Sequence, residues 1–369
     1  MRLPVPEYGR RSLADLGPSV LSALGVAGEA NVLDLPPLPR ACVLLVDGLG
    51  WELLRAHPAE APYLCSLAGR ALTAGFPSTT ATSLGSLGTG RPPGEHGLLG
   101  YQVAIPGERR LLNCLRWDDG VDPHRWQPMA TVYERAVAAG VATAYVAARA
   151  FEHSGLTRSA HRGARYASAD AFGALVATAE HAVRQGERSF VTVYHSELDS
   201  TGHLYGSRSP AWRHHLAFVD LLARRLAEAM PPDAALYVTA DHGMTDPGAR
   251  VDVDAEPALR EGVALLGGEP RARHVYTEDG AAPSVLAAWR DRLAGQAWVM
   301  SREEAIAAGL FGPVPAAMAE RVGDVVAVPY ADVAIMATRA EPLESSLIGM
   351  HGSLVPAEQL VPLLTYLAV

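Results

Sequence analysis

Cysteine is scarce in this chain: three residues in 369, Cys42, Cys65 and Cys114, odd in number and far apart. That excludes a disulfide framework and a Cys-x-x-Cys zinc site, and a reducing cytoplasm is the expected compartment. Charge is sparse too. Charged residues make up 19%, the net charge is −9, and no Lys/Arg run stands out. A nucleic-acid backbone is therefore not an expected partner. No stretch reaches the ~18 apolar residues of a membrane span. The opening MRLPVPEYGRRSLADLG lacks the apolar core of a signal peptide, so no membrane association is expected. Internal repeats and low-complexity linkers are missing as well.

What is present is a hydrophobic fraction of 49%, enough for a sizeable core. The length allows one large domain with an inserted lobe, or two domains. Apolar runs at Ala41–Val46, Ala142–Ala147, Ser189–Tyr194 and Ala235–Ala240 read as buried strands of a parallel sheet covered on both faces. Helical patterns lie between them. Phe172, Leu175, Val176, Ala179 and Val183 share a face, with Gly186 as a stop. Ser209-Pro210 reads as N-cap and first helical residue, followed by the stripe Leu216, Val219, Leu222, Leu226 and Met230. The alternation predicts an α/β sandwich with a mostly parallel central sheet. From about Asp246 to Val333, short apolar pieces (Val263–Leu266, Ala297–Met300, Asp324–Val328) sit among Gly, Pro and charge. This predicts a smaller inserted lobe at 246–333 near the substrate pocket, with 1–245 and 334–369 forming the core. Tyr101–Asp122 reads as a long loop near the site.

Chemistry-bearing residues gather just beyond the strands, where open α/β sheets bind ligands. Asp47-Gly48 ends the first strand. Thr79, Thr80, Thr82 and Ser83 form a hydroxyl-rich turn into a helix of small residues, where N–H groups hold phosphate oxygens. Asp199 and His203, four apart, converge on one cation if their turn is helical. His195 and Glu197 are candidates to support such ligands from behind. Asp241-His242-Gly243 follows another strand, and His351 lies between two glycines. Singly, each has an ordinary explanation: a strand-end cap, a Ser/Thr cap, a polar loop, a structural histidine. Together Asp47, Asp199, His203, Asp241, His242 and His351 offer three carboxylates and three imidazoles, a mixed set suited to zinc and also to manganese or iron. Two ions ~3.5–4 Å apart clamp the attacking and leaving oxygens of an in-line displacement.

These residues resemble the nucleotide pyrophosphatase/phosphodiesterase branch of the alkaline phosphatase superfamily. The matching pieces are Asp47-Gly48, Pro77–Thr80, Thr89–Gly97, Asp199–His203, Asp241–Met244 and His351-Gly352, in that order over most of the chain. The resemblance implies an alkaline-phosphatase-like fold and two divalent metals, usually zinc. One would be held by Asp47, Asp241 and His242 with Thr80 completing the site, the other by Asp199, His203 and His351. It implies Thr80 as nucleophile and a covalent phosphoryl or nucleotidyl threonine that water hydrolyses. The expected substrate is a small phosphate diester or nucleotide. One departure concerns the oxyanion site: the family often has Phe-Pro-Asn after its nucleophile, and this chain has Ala81-Thr82-Ser83, which leaves Ser83 as the candidate. A phosphomonoesterase or phosphonate hydrolase of the same superfamily is the alternative. A monoesterase often adds an Arg beside the extra charge, and none adjoins Thr80 in sequence. From another class, the chain could be a non-catalytic metal-binding protein, since fold does not fix function. The lobe is expected to shape the pocket without supplying a metal ligand.

Overall fold

The computed structural model describes residues 2–368. Its centre is a seven-stranded sheet in the order Ala68–Thr73, Leu360–Leu367, Ala234–Thr239, Arg40–Val46, Ser189–His195, Ala142–Ala147, Arg165–Ser168. Every strand but one runs the same way; Leu360–Leu367 is antiparallel to both its neighbours. The four apolar runs read from sequence form four of the seven strands, shifted by at most one residue at an end.

Arg40–Val46, Ser189–His195 and Ala234–Thr239 are buried almost throughout, without alternation, so both faces are covered. On one face of Ser189–His195, Phe190 and Thr192 meet Tyr133 of helix Val132–Ala138, which stacks on Phe190 at 5.2 Å and hydrogen-bonds Thr192 at 2.9 Å. On the other face, His195 packs on Phe172 of helix Phe172–Val183 at 5.3 Å. Helix Pro210–Ala229 lies beside that second helix. Ser209 caps it as expected, its hydroxyl accepting from Trp212 N–H at 3.1 Å, and Leu216, Val219, Leu222 and Leu226 are buried along it.

The region after Asp246 holds a four-stranded antiparallel sheet, Val263–Glu269, Ala272–Thr277, Val325–Pro329 and Ala297–Ser301, in that order. Val275, Val285, Trp289, Leu293 and Val325 form an apolar cluster of their own there. A parallel pair, Ala249–Asp252 with Val333–Met336, adds Val251, Val333 and Ile335 to the same cluster. The segment Tyr101–Asp122, expected as a loop, contains a small hairpin, Gln102–Ala104 with Leu111–Asn113. No helix among the described residues is long and apolar enough to cross a membrane.

Candidate metal centre and nucleophile

The parallel strands deliver three acids to one end of the sheet. Asp47 follows Val46 directly, and Asp241 and His242 lie just after Thr239. Asp199 sits in helix Glu197–Tyr205, which begins just after Ser189–His195. The chain turns sharply after Asp47 because Gly48 adopts φ +75°, and a Cβ there would press on Asp199 at 3.0 Å. His351 comes from a distant segment pinned on both sides: Ser78 N–H donates to Gly352 O at 3.1 Å, and Met350 pairs with Thr245 at 2.7 and 2.9 Å.

Two groups result. Asp47, Asp241 and His242 each present one ligand atom, all mutually within 4.8 Å, and all three residues are buried. His242 Nε2 lies 3.3 Å from Asp47 Oδ1 and 3.4 Å from Asp241 Oδ2. Asp199, His203 and His351 form the second group. His203 Nε2 is 3.1 Å from Asp199 Oδ2, and His351 Nε2 is 3.3 Å from His203 Nε2. The groups adjoin, since the His242 and His351 rings stack with centroids 3.6 Å apart.

The outward atoms are all engaged. Nδ1 of His203, His242 and His351 faces the main-chain oxygens of Gly349, Gly243 and Ser78 at 2.7, 2.9 and 3.0 Å. A carbonyl only accepts, so each Nδ1 carries the proton in the neutral ring and each Nε2 turns a lone pair inward. Asp241 Oδ1 accepts from the N–H of Gly48 and His242, and Asp47 Oδ2 accepts from the Tyr194 hydroxyl. The inward oxygens, Asp47 Oδ1, Asp199 Oδ1 and Asp241 Oδ2, are buried without a hydrogen-bond partner among the described residues. Burial, then the charge of Asp199, pushes Asp47 up to about 7. Burial and Asp47 push Asp241 well above the carboxylate range. Burial also works against the ionised Asp199, but neighbouring His203 outweighs it and holds Asp199 below its ordinary value. Burial lowers His203, yet the Asp199 carboxylate raises it to about 9. Orphaned carboxylate oxygens, the inward lone pairs of His242 and His351, and a His203 Nε2 whose proton beside Asp199 a divalent cation would displace, together form a dry donor set that fits two such ions.

Thr80 begins helix Thr80–Thr89, and its Oγ1 is 3.3 Å from His242 Nε2. Thr79 Oγ1 points elsewhere, donating to Glu269 Oε2 at 3.0 Å. Ser83 departs from expectation. Fully buried, it spends its hydroxyl on the main-chain oxygen of Asp241 at 2.6 Å and lines no cavity at the site. One helical turn from Thr80, it faces the strand loop rather than the reaction space. His195 and Glu197 do not support the six ligands either; their side chains turn toward His215 on helix Pro210–Ala229.

Glu269 escaped the sequence reading. It ends strand Val263–Glu269, and a tight turn returns the chain through Arg271, whose guanidinium is clamped on buried Glu358 at 2.6 Å. That clamp brings the Glu269 carboxyl to Thr79 and to within 3.6 Å of His351 Nδ1, with Oε1 unpartnered among the described residues and burial raising the group to about 8. The only local signal was a Gly-Gly-Glu-Pro turn in a region expected to stay outside the site. Of the other acids and the histidine of this region, His274 bonds Leu99 O and Gly323 N–H, and Asp252 and Asp254 bond the segment at Thr338–Ala340.

Two cavities meet at Thr80. One is lined by Thr79, Glu269, His203, His351, Tyr101 and Arg116. The other is aromatic, lined by Tyr145, Phe151 and Tyr194 with Asp47 and Leu84. Arg116 corrects the impression that no arginine serves this region, because the hairpin segment folds it over from far along the chain.

The family model for type I phosphodiesterase / nucleotide pyrophosphatase matches residues 41–354. Human ectonucleotide pyrophosphatase/phosphodiesterase family member 7 is 26% identical over 254 residues, 62% of this chain and 54% of the relative. The chain thus spans about half the length of that curated relative. Murine ectonucleotide pyrophosphatase/phosphodiesterase 5, inactive and in complex with AMP, superposes with a TM-score of 0.70 at 19% identity, covering 88% of this chain and 87% of that one. Phosphonoacetate hydrolase from Sinorhizobium meliloti, in complex with phosphonoformate, gives 0.67 at 20% identity over 89% and 90%. At these identities the two structures speak for the fold.

Proposed function

Because the chain belongs to the type I phosphodiesterase / nucleotide pyrophosphatase family, with an alkaline-phosphatase-like fold, we propose that it is a two-metal hydrolase of phosphodiester or nucleotide pyrophosphate bonds with Thr80 as nucleophile. The observation that carries this reading is Thr80 Oγ1 placed against inward-facing, unpartnered ligand atoms of two adjoining groups. Asp47, Asp241 and His242, with Thr80, would hold one ion, and Asp199, His203 and His351 the other. The mixed N/O set suits zinc, with manganese or iron as alternatives. When bound, such ions polarise the phosphoryl oxygens and ease deprotonation of a threonine hydroxyl that is weakly nucleophilic when free.

The chain's own residues do the rest. Thr80 Oγ1 gives up its proton to solvent and bonds to phosphorus, and the bond to the leaving oxygen breaks, that oxygen taking the electron pair and a proton from water. Water then attacks the phosphorus of the phospho- or nucleotidyl-threonine, and Thr80 departs and regains its proton. The first N–H groups of helix Thr80–Thr89 have no carbonyl within the helix, and Thr79 makes no side-chain cap to them. They are donors for a phosphoryl oxygen, the part expected of Ser83.

A diester has two substituents, and the two cavities flanking Thr80 offer each a place; the aromatic one suits a ring. Arg116 favours a second reading in which the substrate carries a further anionic group, as a pyrophosphate or a carboxylated phosphonate does. A panel of bis-p-nitrophenyl phosphate, p-nitrophenyl phosphate, a nucleotide diester, ATP and phosphonoacetate, run with and without zinc after chelation, tests both. The expectation is kcat/KM for the bis ester above the mono ester, with activity lost on chelation and restored by zinc. A mono ester that outruns the bis ester, or full activity in the stripped protein, overturns the corresponding half.

A further inference from the structure

Two histidines outside the catalytic centre face each other nitrogen to nitrogen. His195 ends strand Ser189–His195 and is almost wholly buried; His215 lies on helix Pro210–Ala229. Their Nε2 atoms are 2.8 Å apart, and their rings lie nearly parallel, 18° between planes. Glu197, in the first turn of the next helix, places Oε2 4.0 Å from His215 Nε2. One ligand atom from each residue lies within 4.8 Å of the others.

Contrast with the catalytic histidines is informative. There each Nδ1 is tied to a carbonyl and each Nε2 faces the acids. Here, among the described residues, neither Nδ1 has a hydrogen-bond partner, and the two Nε2 atoms converge on each other. A neutral pair satisfies one N–H with one lone pair and leaves the nearby carboxylate with no part in it. A cation uses all three groups. With Zn–N bonds of ~2.0–2.1 Å at tetrahedral angles, two ligating nitrogens sit roughly 3.3 Å apart. The rings need to part by only ~0.5 Å, and Glu197, mostly exposed, is free to swing in.

We propose that His195, His215 and Glu197 form a third transition-metal site, separate from the catalytic pair, that takes zinc through two imidazoles and one carboxylate with water as fourth ligand. None of the three lines either cavity at Thr80, so the site contacts no substrate. Its place gives it a structural role. His195 O accepts the N–H of Asp47 at 2.9 Å, and Glu197 opens the helix carrying Asp199 and His203. An ion here joins that strand end, that helix and helix Pro210–Ala229.

The test is zinc uptake by the full chain, stripped with chelator, reloaded with zinc chloride, desalted and assayed by elemental analysis. His215→Gln alters a partly exposed ring remote from the cavities, and Glu197→Gln alters an exposed side chain. Wild type is expected to retain about one zinc per chain more than His215→Gln. Competition with a chromophoric chelator should show Glu197→Gln binding that equivalent ~10-fold or more weakly. Added zinc should raise the Tm of wild type by more than that of His215→Gln, while the variants keep their diester turnover. Equal uptake by wild type and both variants, with circular dichroism unchanged, overturns the site and leaves a histidine–histidine hydrogen bond. The readout is a difference between proteins, so the metal content of the catalytic pair does not enter it.

Discussion

Replacing single side chains separates the parts assigned to Thr80, Thr79 and Glu269. Thr80→Ala removes the attacking oxygen and leaves the six Asp and His groups untouched. Turnover should fall by several powers of ten while circular dichroism and most zinc uptake survive, and Thr80→Ser should keep partial activity. Thr79→Ala should lose far less, because its hydroxyl faces Glu269 rather than His242. A dead Thr79→Ala beside an active Thr80→Ala would move the nucleophile by one residue. Glu269→Gln keeps an acceptor for Thr79 and should retain activity within about threefold, whereas Glu269→Ala leaves a buried hydroxyl unpaired and should cost about tenfold or more in kcat/KM. Equal losses in both would show that the carboxyl acts through its charge. At this scale the candidate site was legible where a motif sits at a strand end, in that the structure brings Asp47, Asp241 and His242 together. Glu269 was not, because its place depends on the Arg271–Glu358 clamp between residues far apart in sequence. Ser83 was misjudged for a related reason: a hydroxyl near a nucleophile shows its chemistry in sequence, but not which way its helical turn faces.

Among the elements, helix Thr80–Thr89 is wholly buried, and its small residues have a packing reason. A Cβ on Gly88 would lie 2.0 Å from Ala160 O, and one on Gly85 2.7 Å from the His96 ring. Gly88→Ala should therefore destabilise the protein by about 2–3 kcal/mol in urea denaturation, the cost of overpacking outweighing alanine's better helix propensity. An unchanged midpoint would mean that this helix shifts freely in its seat. The apolar runs announced four strands because those strands are buried on both faces. Ala68–Thr73 is half exposed and reads as a polar stretch. Leu360–Leu367 carries Pro362, which argues against a central strand. The structure accommodates it because Pro362 lies beyond the register shared with Ala234–Thr239 and borders only Ala68–Thr73.

For the whole molecule, acid sensitivity has an identifiable contributor. His161 is buried, stacked on Tyr145 at 3.9 Å, with both ring nitrogens unpartnered among the described residues, and burial lowers its pKa to about 3 from an ordinary 6.5. Between these values the unfolded chain binds a proton that the folded chain does not. Stability from this group is thus fully present above 6.5 and declines as pH falls toward 3, by up to about 1.4 kcal/mol per pH unit. His161→Phe should flatten the acid limb of unfolding free energy against pH by about that slope. Other titrating groups are common to both proteins and cancel in the difference, so parallel limbs would refute the assignment. The sandwich was readable from the alternation of runs and stripes; the number of strands and the meeting of Glu269 with Thr79 depend on pairings that no local pattern encodes.

The place of the last strand bears on how the protein is made. Leu360–Leu367 lies between strands whose residues leave the ribosome much earlier, and His351 precedes it closely. A growing chain that has reached Asp241 and His242 holds every other ligand proposed for the two ions, yet its sheet is still split between Ala68–Thr73 and Ala234–Thr239. Translation order therefore withholds the complete proposed set of ligands until the sheet is ready to close, and a nascent chain stalled before Gly349 lacks the last histidine of that set.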